Sequence, residues 1–223
     1  MTLKVLSLGA EVGEADWLLV ALHGWGANAE DLASLAPYLQ LSGFQMLFPN
    51  APFPHPQVPL GRMWYGFPYS YDFRRPYDFA EQADFQESRR LLQDWLNSLA
   101  DSTGIPLSRT ILAGFSQGGA MALDVGSALP LAGQMILSGY LHAPLEASVS
   151  NRPVLLVHGR VDPIVPLPKA HQAKAALEAQ GITVQYHEMA MGHEILPDVI
   201  RLMTVFCEDL RQGQSGVTAK LLG

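Results

Sequence analysis

The strongest constraint on this chain is a glycine-flanked serine between an apolar run and a helix-forming segment, ILAGFSQGGAMALDVGSA at residues 111–128. A strand that turns directly into a helix at a serine strains that residue, and glycines two positions to either side remove the β-carbons that would collide. Gly114, Ser116 and Gly118 fit this requirement. The pattern predicts an exposed Ser116 hydroxyl beside free helix N–H groups. The alternative is a glycine-rich turn whose serine only caps the helix.

Composition limits the classes of protein that this chain can belong to. Its 223 residues are 48% apolar, which predicts one folded domain over residues 1–212, with a flexible tail at 213–223. No apolar run reaches the roughly 18 residues that a membrane span needs, and the first residues show no leader pattern. We therefore expect a cytoplasmic protein without stable membrane insertion. The net charge of −7 argues against nucleic-acid binding.

Apolar strand-like runs alternate with amphipathic helical patterns along most of the chain. Strands are predicted at 3–8, 17–22, 44–48, 131–137, 153–157 and 182–187, besides the run before Ser116. Helices are predicted from Asn28 to Gly43, over 79–100, after Ser116, over 168–180, and from the loop at His193 to Leu210. This alternation predicts an open, mostly parallel sheet with helices on both faces. Ligands of such sheets bind at the carboxyl ends of the strands.

Three side chains at predicted strand ends form a candidate nucleophilic set. A serine hydroxyl needs a histidine base, and the base needs a carboxylate that orients it. Asp162 and His193 follow Ser116 in the chain, each in a loop just after a predicted strand. The order serine, acid, base is that of enzymes whose serine lies in a strand–turn–helix.

Other residues could fill the same roles. His158 is the second choice for the base, although its place beside a glycine at a strand end is more typical of packing. Asp198 and Glu194 are carboxylates, but they follow the predicted base and break the chain order. Cys207 lies in an apolar helical pattern, which indicates a buried thiol rather than a nucleophile.

Two backbone N–H groups are candidates to stabilise an oxyanion. Gln117 directly follows the serine, and Trp25 lies in the turn HGWG at residues 23–26 after a predicted strand. Glycines there allow the backbone to approach a substrate closely, although a turn built only for packing is the alternative. Motifs for metal or nucleotide binding, such as HExxH or GxGxxG, are absent from the sequence. We expect no cofactor and no metal.

Residues 49–78 are rich in proline and aromatic side chains, which is unusual for a linker. A long aromatic loop inside a compact domain either shapes a pocket or packs on itself. We expect Trp64, Phe67 and Phe53 to form the apolar wall that receives an acyl chain. Internal packing of the loop is the alternative.

The sequence resembles the phospholipase/carboxylesterase family of α/β-hydrolases over about residues 15–210. The matching stretches are LHGWGANAEDL at 22–32, FPNAPFP at 48–54, RMWY at 62–65, GFSQGGAMAL at 114–123, LSGYL at 137–141, VLLVHGRVDPIVP at 154–166 and GHEI at 192–195. The resemblance implies an α/β-hydrolase fold with a minimal cap. It also implies a triad of Ser116, Asp162 and His193, with oxyanion donors at the N–H groups of Trp25 and Gln117.

The expected function is a serine carboxylesterase that hydrolyses short- to medium-chain acyl esters through an acyl-enzyme intermediate. Two departures from acyl-protein thioesterases, Ala27-Asn28 after the HGWG turn and Gly66 after the Trp-Tyr pair, favour the bacterial carboxylesterase branch. The alternatives are an acyl-protein thioesterase or lysophospholipase and, from another class, a non-catalytic ligand-binding protein of the same fold. The expected partner is a small acyl ester or thioester, and a homodimer is left open.

Overall fold

The computed structural model describes residues 3–69, 71–74, 79–145 and 151–213. Within these ranges, seven strands form one sheet in the order β1-β3-β2-β6-β7-β8-β9, and β4 and β5 form a separate short hairpin. The strands are β1 (Val5–Gly9), β2 (Trp17–Leu22), β3 (Phe44–Pro49), β4 (Phe53–Pro54), β5 (Arg62–Met63), β6 (Thr110–Phe115), β7 (Gly133–Leu137), β8 (Val154–Gly159) and β9 (Val184–Met189). In the large sheet only β1 and β3 pair antiparallel.

Helices cover both faces of the large sheet. They are α1 (Ala29–Ala33), α2 (Ala36–Leu39), α3 (Ala83–Asn97), α4 (Leu99–Thr103), α5 (Gln117–Ser127), α6 (Pro168–Ala179) and α7 (Pro197–Arg211), with a 3₁₀ turn at Leu107–Arg109. Side chains of α3, α5 and α6 join one apolar cluster, and those of α1, α2 and α7 join another. Successive residues of a strand point to opposite faces, so Leu18 and Val20 of β2 enter the first cluster and Leu19 and Ala21 the second. This α/β-hydrolase architecture confirms the predicted fold class.

The prediction of a single helix from Asn28 to Gly43 is wrong, because this stretch forms two short helices. Asn28 does cap α1: its side chain accepts from the Asp31 N–H, and the Asp31 carboxylate accepts from the Asn28 N–H. The break follows from Pro37 at the start of α2. Proline has no N–H to donate to the carbonyl four residues earlier, and its ring collides with that carbonyl.

Other boundaries shift by a few residues. The helix predicted over 79–100 begins at Ala83 and is followed by α4, and the last two strands begin later than predicted. Cys207 is a buried free thiol, as expected, and burial raises its pKa. Most of the predicted tail, residues 214–223, lies outside the described residues, so the division into one domain and a tail stays a prediction. Among the described helices none is long and apolar enough to cross a bilayer.

The parallel arrangement brings several loops to one edge of the sheet. β2, β6, β8 and β9 run in the same direction, so the loops that follow them meet at their carboxyl ends. These loops contain all the residues that the sequence predicts for catalysis and oxyanion binding.

Candidate active site

Ser116 lies in the predicted sharp turn between β6 and α5. Its backbone has φ 55° and ψ −117°, a conformation that costs a non-glycine residue free energy and is typical of functional sites. A β-carbon at Gly114 would collide with the carbonyl of Gly118, and one at Gly118 would collide with the carbonyl of Leu22. The two glycines are therefore required by close backbone packing around the serine.

His193 lies between Ser116 and Asp162 and contacts both. Its Nε2 is 2.9 Å from Ser116 Oγ, and its Nδ1 is 2.7 Å from Asp162 Oδ2. An ionised carboxylate can only accept, so Nδ1 carries the proton and Nε2 is free to accept from the serine hydroxyl. This arrangement allows His193 to take a proton from Ser116 while Asp162 holds the ring in place.

The Asp162 carboxylate is held in its ionised form by hydrogen bonds. Its Oδ1 accepts from the backbone N–H groups of Ile164 at 2.9 Å and Val165 at 2.8 Å. Burial alone raises the pKa of Asp162, but the hydrogen bonds from His193 and these two N–H groups outweigh it, and the pKa lies below its ordinary value. The carboxylate therefore keeps its charge at neutral pH.

The loops of Asp162 and His193 are tied to each other through the backbone. Arg160 N–H donates to Met189 O at 2.8 Å, and Val161 N–H donates to Met191 O at 3.3 Å. The ring of His193 also packs against Phe115, with centroids 4.9 Å apart. These contacts fix the His193 ring relative to Asp162 and Ser116.

Two backbone N–H groups beside Ser116 have no acceptor among the described residues. One is that of Gln117, the first residue of α5, and the other is that of Trp25 in the turn after β2. A β-carbon on Gly24 would lie 3.3 Å from Ser116 Cβ, which shows how closely this turn approaches the serine. These two N–H groups are therefore free to donate to a negatively charged oxygen placed beside Ser116.

The prediction that Trp64 forms an acyl-binding wall is wrong. Its side chain is 0% exposed and belongs to the main apolar cluster. Its indole Nε1 donates to His23 O at 3.0 Å, and its backbone N–H donates to the Gln117 side chain at 2.9 Å. A tryptophan whose polar edge finds a partner can be buried completely, and Trp64 then has no surface to offer a ligand.

The other two predicted wall residues keep some exposed surface. Phe67 is half-buried, stacks on Tyr71 with centroids 4.7 Å apart, and meets the Trp25 ring edge-on at 5.5 Å. Phe53 is half-buried in β4 and pairs with Met63 of β5. Of the three, Phe67 is the one whose contact with Trp25 ties it to the candidate site.

The alternative candidates for base and acid have other contacts. His158 is buried, and its Nε2 donates to Val165 O at 2.8 Å and lies 3.6 Å from Asp162 Oδ2. Burial lowers the pKa of His158, so it stays neutral behind Asp162. Asp198 pairs with Arg201 on the surface, and Glu194 accepts from the Gly192 N–H. Ser116 Oγ contacts His193 instead of these residues.

Sequence reasoning gave no role to the buried side chain of Gln117, and it expected His23, beside a glycine at a strand end, only to pack. The Gln117 amide accepts from Trp64 N–H and donates to Tyr65 O at 2.8 Å, so it holds the aromatic segment, the described part of residues 49–78, against α5. His23 is 1% exposed and bonds to backbone groups with both ring nitrogens. The available signal was a polar residue inside an otherwise apolar and glycine-rich stretch. Among the described residues, no cluster of three or more His, Cys, Asp or Glu side chains could hold a metal ion.

The geometry agrees with what the chain resembles. A family model described as phospholipase/carboxylesterase matches residues 9–210. The chain belongs to this family. A structure described as that of esterase PE8 shares 33% identity, covers 94% of this chain and 100% of its own, and superposes with a TM-score of 0.85. A phospholipase/carboxylesterase from Dyadobacter fermentans, at 24% identity and a TM-score of 0.76, covers 93% and 97% and supports the fold alone.

Curated relatives are acyl-protein thioesterases. The protein named acyl-protein thioesterase 1 from Saccharomyces cerevisiae is 27% identical over 219 residues, which span 90% of this chain and 96% of the relative. The one from Kluyveromyces lactis is 28% identical over 191 residues, which span 80% and 83%. Family and relatives together show that this protein is a serine hydrolase of the esterase and thioesterase type.

Proposed function

We propose that the protein is a carboxylesterase that hydrolyses short- to medium-chain acyl esters with Ser116 as nucleophile, His193 as base and Asp162 as its orienting acid. The observation that carries the proposal is the position of the His193 ring, 2.9 Å from Ser116 Oγ and 2.7 Å from Asp162 Oδ2. Both distances are those of hydrogen bonds that can transfer or orient a proton.

The reaction proceeds in two halves. His193 Nε2 takes the hydroxyl proton as Ser116 Oγ bonds to the ester carbonyl carbon, and the same proton then passes to the alcohol as the ester C–O bond breaks. In the second half His193 takes a proton from water, whose oxygen attacks the acyl-enzyme. That proton returns to Ser116 Oγ as the acid leaves. Asp162 stays ionised throughout and stabilises the protonated imidazole.

The oxyanion of each tetrahedral intermediate is stabilised by the N–H groups of Trp25 and Gln117. Both lack a partner among the described residues, and the Gln117 N–H is at the positive end of the α5 dipole. Removing one such donor typically lowers kcat by about 10²–10³-fold. Donors that are already fixed in place need no reorganisation when the charge forms.

An apolar substrate is supported by exposed apolar side chains around the site. Trp25 is 41% exposed in the turn after β2, and Val161 and Ile164 are exposed beside Asp162. Phe67 packs against Trp25 from the aromatic segment. These surfaces suit a short or medium acyl chain, and Phe67 is the proposed contact on the acyl side. Phe53 stays a candidate in the same segment.

The second candidate function is acyl-protein thioesterase activity. It is favoured by the relatives named acyl-protein thioesterase 1 from Saccharomyces cerevisiae and Kluyveromyces lactis, which align with most of this chain. A thioester carbonyl would use the same nucleophile and donors, so the two candidates differ in the leaving group and the acyl length.

Hydrolysis of p-nitrophenyl esters from acetate to palmitate, with an S-acyl-cysteine peptide alongside, separates the candidates. We expect the highest kcat/KM at short to medium chains, together with covalent labelling of Ser116 by a fluorophosphonate. A preference for the long-chain acyl-cysteine peptide would favour the thioesterase. Absence of both labelling and turnover would contradict the proposed mechanism.

A further inference from the structure

The direction of the Trp25 N–H depends on the peptide group to which it belongs. That group joins Gly24 to Trp25, and in a trans peptide the carbonyl and the N–H point in opposite directions. The carbonyl oxygen of Gly24 accepts from His23 Nδ1 at 2.8 Å. Whatever holds this oxygen therefore also sets where the Trp25 N–H points.

The His23 ring is itself fixed in one tautomer. Its Nε2 accepts from the backbone N–H of Ala51 at 3.0 Å, so the proton is on Nδ1, the nitrogen that donates to Gly24 O. The Trp64 ring lies beside it with centroids 5.7 Å apart, and Trp64 Nε1 donates to His23 O. Burial lowers the pKa of His23 to about 4, so the ring is neutral at neutral pH.

The turn needs such a hold because glycines flank Trp25. Gly26 has φ 82°, and glycine on both sides lowers the cost of rotating the intervening peptide groups. The far end of the turn is held by other contacts, since Gly26 N–H donates to Arg62 O at 2.9 Å and Arg62 N–H donates to Ala27 O at 2.8 Å. At the Gly24–Trp25 peptide, the Gly24 carbonyl oxygen accepts two hydrogen bonds. The one from His23 Nδ1 is the shorter, and the one from Ala27 N–H is 3.3 Å long.

We propose that His23 is a positioning residue for ester hydrolysis: its Nδ1–H holds Gly24 O and thereby aims the Trp25 N–H at the oxyanion. The inference rests on the proposed function, because it gives a role to a neighbour of a proposed oxyanion donor. His23 acts through the peptide and touches no reacting atom. Its loss should affect the transition state more than substrate binding.

Two variants separate this role from simple packing. In His23→Asn the side-chain amide nitrogen takes the place of Nδ1 and can donate to Gly24 O, while the contact with Ala51 N–H is lost. In His23→Gln the terminal oxygen can take the place of Nε2 and accept from Ala51 N–H, while the donor to Gly24 O is lost. Both variants remove the ring, so they lose similar packing.

We expect His23→Gln to lower kcat by roughly 10- to 100-fold with little change in KM, which is less than the effect of losing an oxyanion donor completely. His23→Asn should retain most of kcat. A trifluoromethyl ketone adds to the serine and forms an oxyanion there. Its affinity should fall more in His23→Gln than in His23→Asn. Equal losses in the two variants, tracking their thermal stability, would overturn the proposal.

Nitrogen NMR of the unmodified enzyme tests the proposal without any variant. The spectrum should show His23 neutral, with the proton on Nδ1, and an Nε2 proton would overturn it. Fluorophosphonate labelling of the unmodified enzyme at Ser116 distinguishes the two proposals. If labelling and turnover succeed while the tautomer or the variant pair fails, the proposed function stands and only the role of His23 is rejected.

Discussion

Residues typical of an active site occur in two regions, the loops at the carboxyl ends of the strands and the aromatic segment between β3 and α3. The two regions differ in how exposed these residues are and in what they bond to. In the loops, His193 is partly exposed and bonds directly to Ser116 and Asp162. In the aromatic segment, Trp64 and Tyr65 are completely buried. Residue type alone therefore does not separate reactive side chains from structural ones, whereas exposure and the direction of hydrogen bonds do.

The aromatic residues can be buried because their polar atoms are paired. Tyr65 Oη lies 2.6 Å from Tyr140 Oη and 3.1 Å from His142 Nδ1, and burial raises the pKa of Tyr65. Pairing removes most of the cost of taking a polar group out of water. The buried part of the segment thus braces Gln117 and His23, and through them the site. Changes in the loops should lower the rate, and changes in the buried part of the segment should lower stability.

The largest expected effect is on the rate, from Ser116→Ala. We expect kcat to fall on the order of 10⁶-fold, because no other group in this arrangement can form the acyl-enzyme. Thermal unfolding should change little, since among the described residues the hydroxyl hydrogen-bonds to His193 alone. Steady-state kinetics with p-nitrophenyl butyrate measures the loss. A folded variant that keeps a tenth of kcat would contradict the assignment.

Asp162→Asn should have the next largest effect, about 10⁴-fold in kcat. Its side-chain oxygen can still accept from the backbone N–H groups of Ile164 and Val165, but its amide favours the wrong tautomer of His193. Asp198→Asn is the matched control, because that carboxylate pairs with Arg201 on the surface, away from Ser116 and His193. The same kinetic assay should show the control unchanged. Equal activity in the two variants would remove Asp162 from the mechanism.

Trp64→Ala tests the aromatic segment through stability. Deleting this buried ring should lower the free energy of unfolding by about 3–5 kcal/mol. Tyr69→Ala is the control in the same segment, and since Tyr69 is fully exposed, it should change stability by less than about 0.5 kcal/mol. Urea unfolding measures both. Similar values for the two variants would mean that the segment is not a packed core.

Acid should destabilise the folded protein through His23. The unfolded chain binds a proton on this side chain near pH 6.5, whereas the folded chain binds it only at about pH 4. The stabilisation is therefore complete above about pH 6.5 and is lost as the pH falls toward 4, by about 2 kcal/mol at pH 5. Urea unfolding at pH 7 and pH 5 should show a smaller difference for His23→Asn than for the unmodified chain. An unchanged difference would mean that the ring is solvated or charged.

The smallest expected effect is on substrate preference, from Phe67→Ala. If each buried methylene contributes about 0.8 kcal/mol, two extra carbons raise kcat/KM by up to roughly ten-fold. Removing the ring should flatten this dependence and leave acetate esters nearly unaffected, because the candidate triad lies on other loops. The ester series compares the two proteins. An unchanged profile would assign Phe67 to the core of the segment, like Trp64.

The features that could be read from the sequence are local ones. The strained turn at Ser116 needs glycines at 114 and 118, and both lie within two residues of the serine. Buried parallel strands are continuous apolar runs, so the sheet and the edge that carries the candidate site follow from the pattern. Chain order and strand-end position then place Asp162 and His193 in the same edge loops. The fold class and the candidate triad were accessible for this reason.

The features that the sequence could not show depend on contacts between distant residues. Whether Trp64 faces a ligand or the core depends on a carbonyl 41 residues earlier in the chain, that of His23. The His23 ring depends on Ala51, 28 residues later, for its tautomer. A local pattern specifies which residues lie at a strand end, but burial and hydrogen-bond direction are set only when separate segments pack together.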